Sequence, residues 1–167
     1  MALLATSGAA HARNPEDVFR GQIITSARSI PLSAKSKGAY IATLRKLKTT
    51  RFQEDRAKKQ WKVYFAAFFR RPLNDLEVTI KIYDVSGAGQ RLLATFEQYM
   101  DKRGASSLTS QMTLQREQFG VNKNLMMVME SRGKVLAAAR FAIVGQGEKY
   151  DGKVDFTEEE SQATDEN

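Results

Sequence analysis

From residue 60 to residue 144 the chain is a succession of short apolar-patterned runs separated by turn residues. No connection between them is long enough to hold the crossover helix that a parallel pair of strands requires. This feature constrains the fold more than any other, because successive short strands with alternating faces close into antiparallel sandwiches or barrels. The run "QWKVYFAAFFRRPL" places Trp61, Val63, Phe65, Ala67 and Phe69 on one face, and its other face carries Tyr64, Ala66 and Phe68. A strand apolar on both sides is central and covered on each face. "LEVTIKIYDV" alternates cleanly, with Leu76, Val78, Ile80 and Ile82 facing inward. "RLLATFEQYM" and "LTSQMTLQRE" repeat the pattern, with Leu92, Ala94 and Phe96 in the first and Leu108, Met112 and Leu114 in the second directed inward.

The turns follow from residue chemistry. Pro72, Asn74 and Asp75 suit one turn, "SGAG" at 86–89 another, and Gly133 supplies a positive φ in a hairpin whose arms are 125–131 and 134–144. Upstream, Ile23-Ile24-Thr25 reads as an edge strand ended by Pro31. Tyr40, Ile41, Leu44 and Leu47 recur at helical spacing, so a short amphipathic helix is expected over 37–48. Seven strands result, at 22–30, 60–70, 76–85, 91–99, 108–116, 125–131 and 134–144. The fold class is mainly β: an antiparallel two-sheet sandwich of immunoglobulin-like architecture with one short N-terminal helix. Trp61 is its expected core tryptophan. With no cysteine in the chain, any likeness to antibody-type domains is architectural only.

Three segments follow. Residues 1–12 read as the remnant of a signal peptide, because Ala10-His11-Ala12 is an A-x-A cleavage pattern and "RNPED" opens polar sequence at Arg13. No Lys or Arg precedes Arg13, so the expectation includes a true start upstream of Met1. Residues 13–150 form the sandwich domain, and 151–167 form an acidic tail expected to lack order. The expected compartment is periplasmic or secreted, in a bacterial envelope. The alternative is a cytoplasmic protein with an alanine-rich N-terminus.

Catalysis is disfavoured by residue supply. The one histidine, His11, lies beside the cleavage pattern, so nucleophilic chemistry lacks its usual base. Asp84, Glu97, Asp101, Glu117 and Glu130 could work as carboxylate pairs but read as solvated charges. "SGAGQR" lacks the GK[ST] ending of a phosphate loop, and "DGKVD" at 151–155 lacks most oxygens of a calcium loop. Met126, Met127 and Met129, with Met112, read as core packing. No enzyme activity, cofactor or metal is expected.

Charge is the remaining signal. The chain carries +7 overall, distributed as +8 over residues 1–60, +5 over 61–150 and −6 over 151–167. Lys35, Lys37, Arg45, Lys46, Lys48, Arg51, Arg56, Lys58 and Lys59 crowd one segment, interleaved with Tyr40 and Phe52. They form the candidate binding patch. Such a patch suits anionic lipid, acidic polymer or nucleic acid without distinguishing them. The leading expectation is a non-enzymatic adaptor or structural module of the envelope that recognises another protein through a sheet face or edge. The alternative is a cytosolic nucleic-acid-binding protein using the Lys35–Lys59 segment.

Overall fold

The computed structural model describes residues 13–147. The expected leader and the acidic tail therefore lie outside the described residues. Eight strands form two sheets. The three-stranded sheet is antiparallel, with β3 (Gln60–Leu73) between β1 (Ile23–Ser26) and β6 (Ala105–Gln115). The five-stranded sheet runs β2 (Arg51–Gln53), β8 (Lys134–Val144), β7 (Lys123–Ser131), β4 (Glu77–Asp84), β5 (Arg91–Tyr99). Three helices lie among the described residues: α1 (Pro15–Val18), α2 (Lys37–Leu47) and α3 (Arg116–Phe119).

The doubly apolar run is a central strand with both faces buried. Trp61, Val63, Phe65, Ala67 and Phe69 project into the core between the sheets, where they meet Val78, Ile80 and Ile82 of β4 and Leu125, Met127 and Met129 of β7. On the opposite face of β3, Ala66 and Phe68 lie in a second cluster with Phe19, Ile24, Ile41 and Leu44. α2 supplies that cover. The Ser36 Oγ accepts the Ala39 N–H at 3.1 Å and caps the helix. Trp61 is fully buried, and its indole N–H donates to the Val144 carbonyl at 3.0 Å, tying the start of β3 to the end of β8.

The structure corrects several expectations. Arg51–Gln53 is an eighth strand and pairs with β8 in parallel, so the five-stranded sheet is mixed. Three residues with one inward side chain, Phe52, were too short to register as a period. Beside them Gln22 makes a parallel bridge to Ala138, so the same edge of β8 receives chain from both ends of the N-terminal segment. The first strand ends at Ser26, whose hydroxyl donates to the Arg28 carbonyl in a local turn. Two register shifts change side-chain direction. Ile82 pairs with Ala94 but Tyr83 with Leu92, which inserts Leu93 as an extra residue and turns Leu92 out to solvent. Met129 pairs with Ala137 but Glu130 with Val135, so consecutive Leu136 and Ala137 both reach the core. Leu76 precedes β4, in a turn where the Asp75 carboxylate accepts its N–H, and is exposed rather than inward.

Candidate functional site

The nine cations of the Lys35–Lys59 segment do not converge. Lys35 and Lys37 sit before and at the start of α2, and the Lys37 ammonium donates to the Asn14 side chain at 2.6 Å. Arg45 and Lys46 occupy its last turn, where cations complement the helix dipole, and Lys48 caps it. An eleven-residue helix is about 16 Å long, which separates these two groups. Arg51 projects from β2, and Arg56, Lys58 and Lys59 lie in the following loop. All nine are exposed, and none is within salt-bridge distance of a carboxylate among the described residues.

The aromatic residues interleaved with them turn inward. Phe52 is buried against Phe141, with ring centroids 5.5 Å apart, and Tyr40 packs from α2 against the second cluster. Burial raises the Tyr40 hydroxyl above its ordinary pKa, against a hydrogen bond with Thr109. On the outer face of β3, Phe68 lies under Phe19 with centroids 5.3 Å apart. Tyr64 is half-buried, and the Lys62 ammonium stands 5.0 Å from its ring centre. The patch thus has charge without an exposed stacking platform of its own.

Arg56 and Lys59 line a cleft of about 770 Å³ with Glu54, Arg116 and Gln146. Its chemistry is largely spent on the fold. Arg116 holds both oxygens of the Glu54 carboxylate at 3.1 Å and donates to the Gln146 carbonyl at 2.7 Å. Of the carboxylates first read as solvated, Asp84 is buried at the end of β4. Its oxygens accept the Ser86 N–H at 2.9 Å and face Lys123 at 3.0 Å and Arg91 at 3.5 Å. The hydrogen bonds from Ser86, with Lys123 behind them, hold the Asp84 carboxyl well below the usual carboxylate range. Glu130 is paired with Lys81, whose ammonium is raised above its ordinary pKa mainly by that hydrogen bond. Among the described residues no three His, Cys, Asp or Glu side chains converge as metal ligands.

A different surface stands out. The helices pack on the three-stranded sheet, with α2 over β1, α1 over β3 and α3 at the end of β6. No helix among the described residues crosses the outer face of the five-stranded sheet. Cross-strand register lays Leu92, Tyr83, Met126 and Arg140 in one row across that face. The adjacent row is Thr95, Lys81, Val128 and Ala138, with the Lys81–Glu130 ion pair beside it. Met127 and Met129 are in the core as expected, whereas Met126 faces out into the row. Met126 shares one run with Met127 and Met129, so reading the cluster as core packing misses its outward direction, and Tyr83 beside it carried no such signal. No protein-family model matches this chain, and no curated protein matches it in sequence.

Proposed function

We propose that this protein is a non-enzymatic binding module of the bacterial envelope that recognises another protein through the outer face of its five-stranded sheet. One observation carries the reading. One sheet of the sandwich is roofed by helices, while the other presents an apolar and aromatic row, Leu92–Tyr83–Met126, with Arg140 at its end and, among the described residues, no helix over it. Tyr, Met and Arg are the residue types enriched where partners bind, and an apolar centre flanked by charge is the usual make-up of such a patch. The adjacent row, in which Val128 is buried, is polar toward its edge, and the Lys81–Glu130 pair supplies a border. The immunoglobulin-like comparison serves here in one respect, as a two-sheet frame that offers a face for binding. Placement in the envelope rests on the Ala10-His11-Ala12 pattern, and the intact mass of the native protein from fractionated cells tests it through a species beginning at Arg13.

The test of the surface is substitution. The double variant Tyr83→Asp/Leu92→Asp should lose the protein that co-purifies with the native chain. Gln111→Asp/Thr113→Asp, on the outer face of β6, should keep it. Equal retention by both variants, or co-purification of nothing with the native chain, would overturn the reading. The alternative, nucleic-acid binding through Lys35–Lys59, is weakened by the burial of Phe52 and Phe68, and predicts an affinity that falls steeply with salt.

A further inference from the structure

In the run from β3 to β8, alternate connections fall at the same end of the sandwich. Three of them meet at one end: the β3–β4 turn, the β5–β6 connection and the β7–β8 turn. Hydrogen bonds bind them together. The Gly104 N–H donates to Leu73 at 2.6 Å, the Met100 N–H donates to Leu76 at 2.8 Å, and the Arg132 guanidinium donates to Asp75 at 2.9 Å. Cations flank each connection: Arg70 and Arg71 near the end of β3, Lys102 and Arg103 in the β5–β6 connection, and Arg132 with Lys134 about the β7–β8 turn. All six are exposed; the carboxylates at this end are Asp75, held by Arg132, Glu130, held by Lys81, and Asp101 and Glu77, the last opposite Tyr99. Arg71, Arg132 and Lys134 border a cleft of about 280 Å³ floored by Leu73 and Leu136. At the opposite end Arg91, Lys123 and Arg116 are each engaged by Asp84 or Glu54, and Arg56 and Lys59 border the cleft that Arg116 and Glu54 share.

The basic end also exposes apolar side chains. Leu76, Tyr99 and Val135, at strand termini beside these turns, are 42, 66 and 43 % exposed. They are three of the five large apolar residues exposed to this degree among the described residues. A bare polyanion would be served by the cations alone. Cations on turn tips with a Tyr and two aliphatics beside them fit a surface of charged headgroups over hydrocarbon, where lysine and arginine meet phosphate and the apolar tips leave water.

We propose that this end of the sandwich docks end-on against an anionic phospholipid surface. Arg71, Lys102, Arg103, Arg132 and Lys134 contact headgroup phosphates, and Leu76, Tyr99 and Val135 settle at the acyl boundary. No helix among the described residues is long and apolar enough to cross a membrane, so this contact is peripheral. Tyr99 and Val135 lie on the same outer face as the row proposed above for a protein partner, but at its other end, away from Leu92.

The test uses the full chain and vesicles of phosphatidylcholine, alone or mixed with phosphatidylglycerol, in a sedimentation assay at low and high salt. Binding is expected to the mixed vesicles only, and to weaken with salt. Arg71→Gln/Arg103→Gln/Lys134→Gln should lower the partition coefficient by about 100-fold, from about fivefold per cation. Lys46→Gln/Lys48→Gln/Lys58→Gln removes the same charge elsewhere and should leave binding near the native value. The Tyr99→Trp variant should gain indole fluorescence that brominated lipid quenches in bound protein, a readout that needs no charge removal. The native chain, whose Trp61 is fully buried, supplies the background for that signal. Equal loss in both triple variants would reduce the effect to net charge and overturn the proposal. So would the absence of binding to mixed vesicles, a Tyr99→Trp signal that brominated lipid leaves unquenched, or a preference of the same end for duplex DNA over vesicles.

Discussion

Replacing Trp61 with phenylalanine isolates the contact that joins the two sheets at one end. The indole N–H donates to the Val144 carbonyl at 3.0 Å, and that carbonyl also accepts the Glu54 N–H at 2.9 Å. Removing the indole therefore leaves no orphaned acceptor, and the penalty for an unsatisfied buried group does not apply. The loss is one net hydrogen bond, about 1 kcal/mol, plus a small void in the core between the sheets, about 1 kcal/mol more. Trp61→Phe should cost about 2 kcal/mol, which for a domain of this size lowers Tm by about 4–8 °C. Trp61→Ala should cost about 3–5 kcal/mol, because it empties a fully buried site. Urea unfolding followed by circular dichroism measures both. If Trp61→Phe cost as much as Trp61→Ala, the shared acceptor at Val144 would be the wrong account of this contact. If it cost nothing, the indole would not be joining the sheets at all.

Three further outcomes are expected. The Asp84 carboxyl is held below its unfolded value, so its contribution is present above about pH 4 and is lost as pH falls from there toward the lower folded value. Asp84→Asn should accordingly show a stability deficit at neutral pH that narrows on acidification, read from denaturant midpoints across the acid range. Ser36→Ala removes the α2 cap and should cost about 1 kcal/mol by thermal denaturation. A Cβ at Gly145 would stand 2.5 Å from the Glu54 Oε2 and 3.1 Å from Val121, so Gly145→Ala must displace the carboxylate from Arg116. It should destabilise by about 1–3 kcal/mol, whereas Gly147→Ala, with nothing within 4 Å of its Cβ, should be neutral in the same assay.

The elements most readable in the sequence are those whose pattern repeats within one segment. The doubly apolar β3 identified itself as a covered central strand, and Tyr40, Ile41, Leu44 and Leu47 identified α2, because each pattern is completed by consecutive turns of one element. Strand β2 carries a single inward residue, Phe52, and its parallel partner is the last strand of the sheet, far along the chain, so neither a period nor a turn marks it. The inserted Leu93 and Leu136 break a period of two, and an alternation read straight through them assigns Leu92 to the wrong side. The basic segment shows the same lesson for function. Nine cations adjacent in sequence are spread along a helix, a strand and a loop, while six that flank three separate connections are gathered at one end by the alternation of connections. That grouping was implicit in "RRPLND", "DKRG" and "SRGK", and becomes visible only when the connections are sorted by the end of the sandwich they occupy.

Site-specific photo-crosslinking in living cells addresses the central claim most directly. A crosslinker placed at Met126, in the open row of the five-stranded sheet, is compared with one at Thr113 on the outer face of β6. The account predicts a discrete protein adduct from position 126, abolished by Tyr83→Asp/Leu92→Asp, and none from position 113. Adducts of equal yield from both positions, or from position 113 alone, would contradict it.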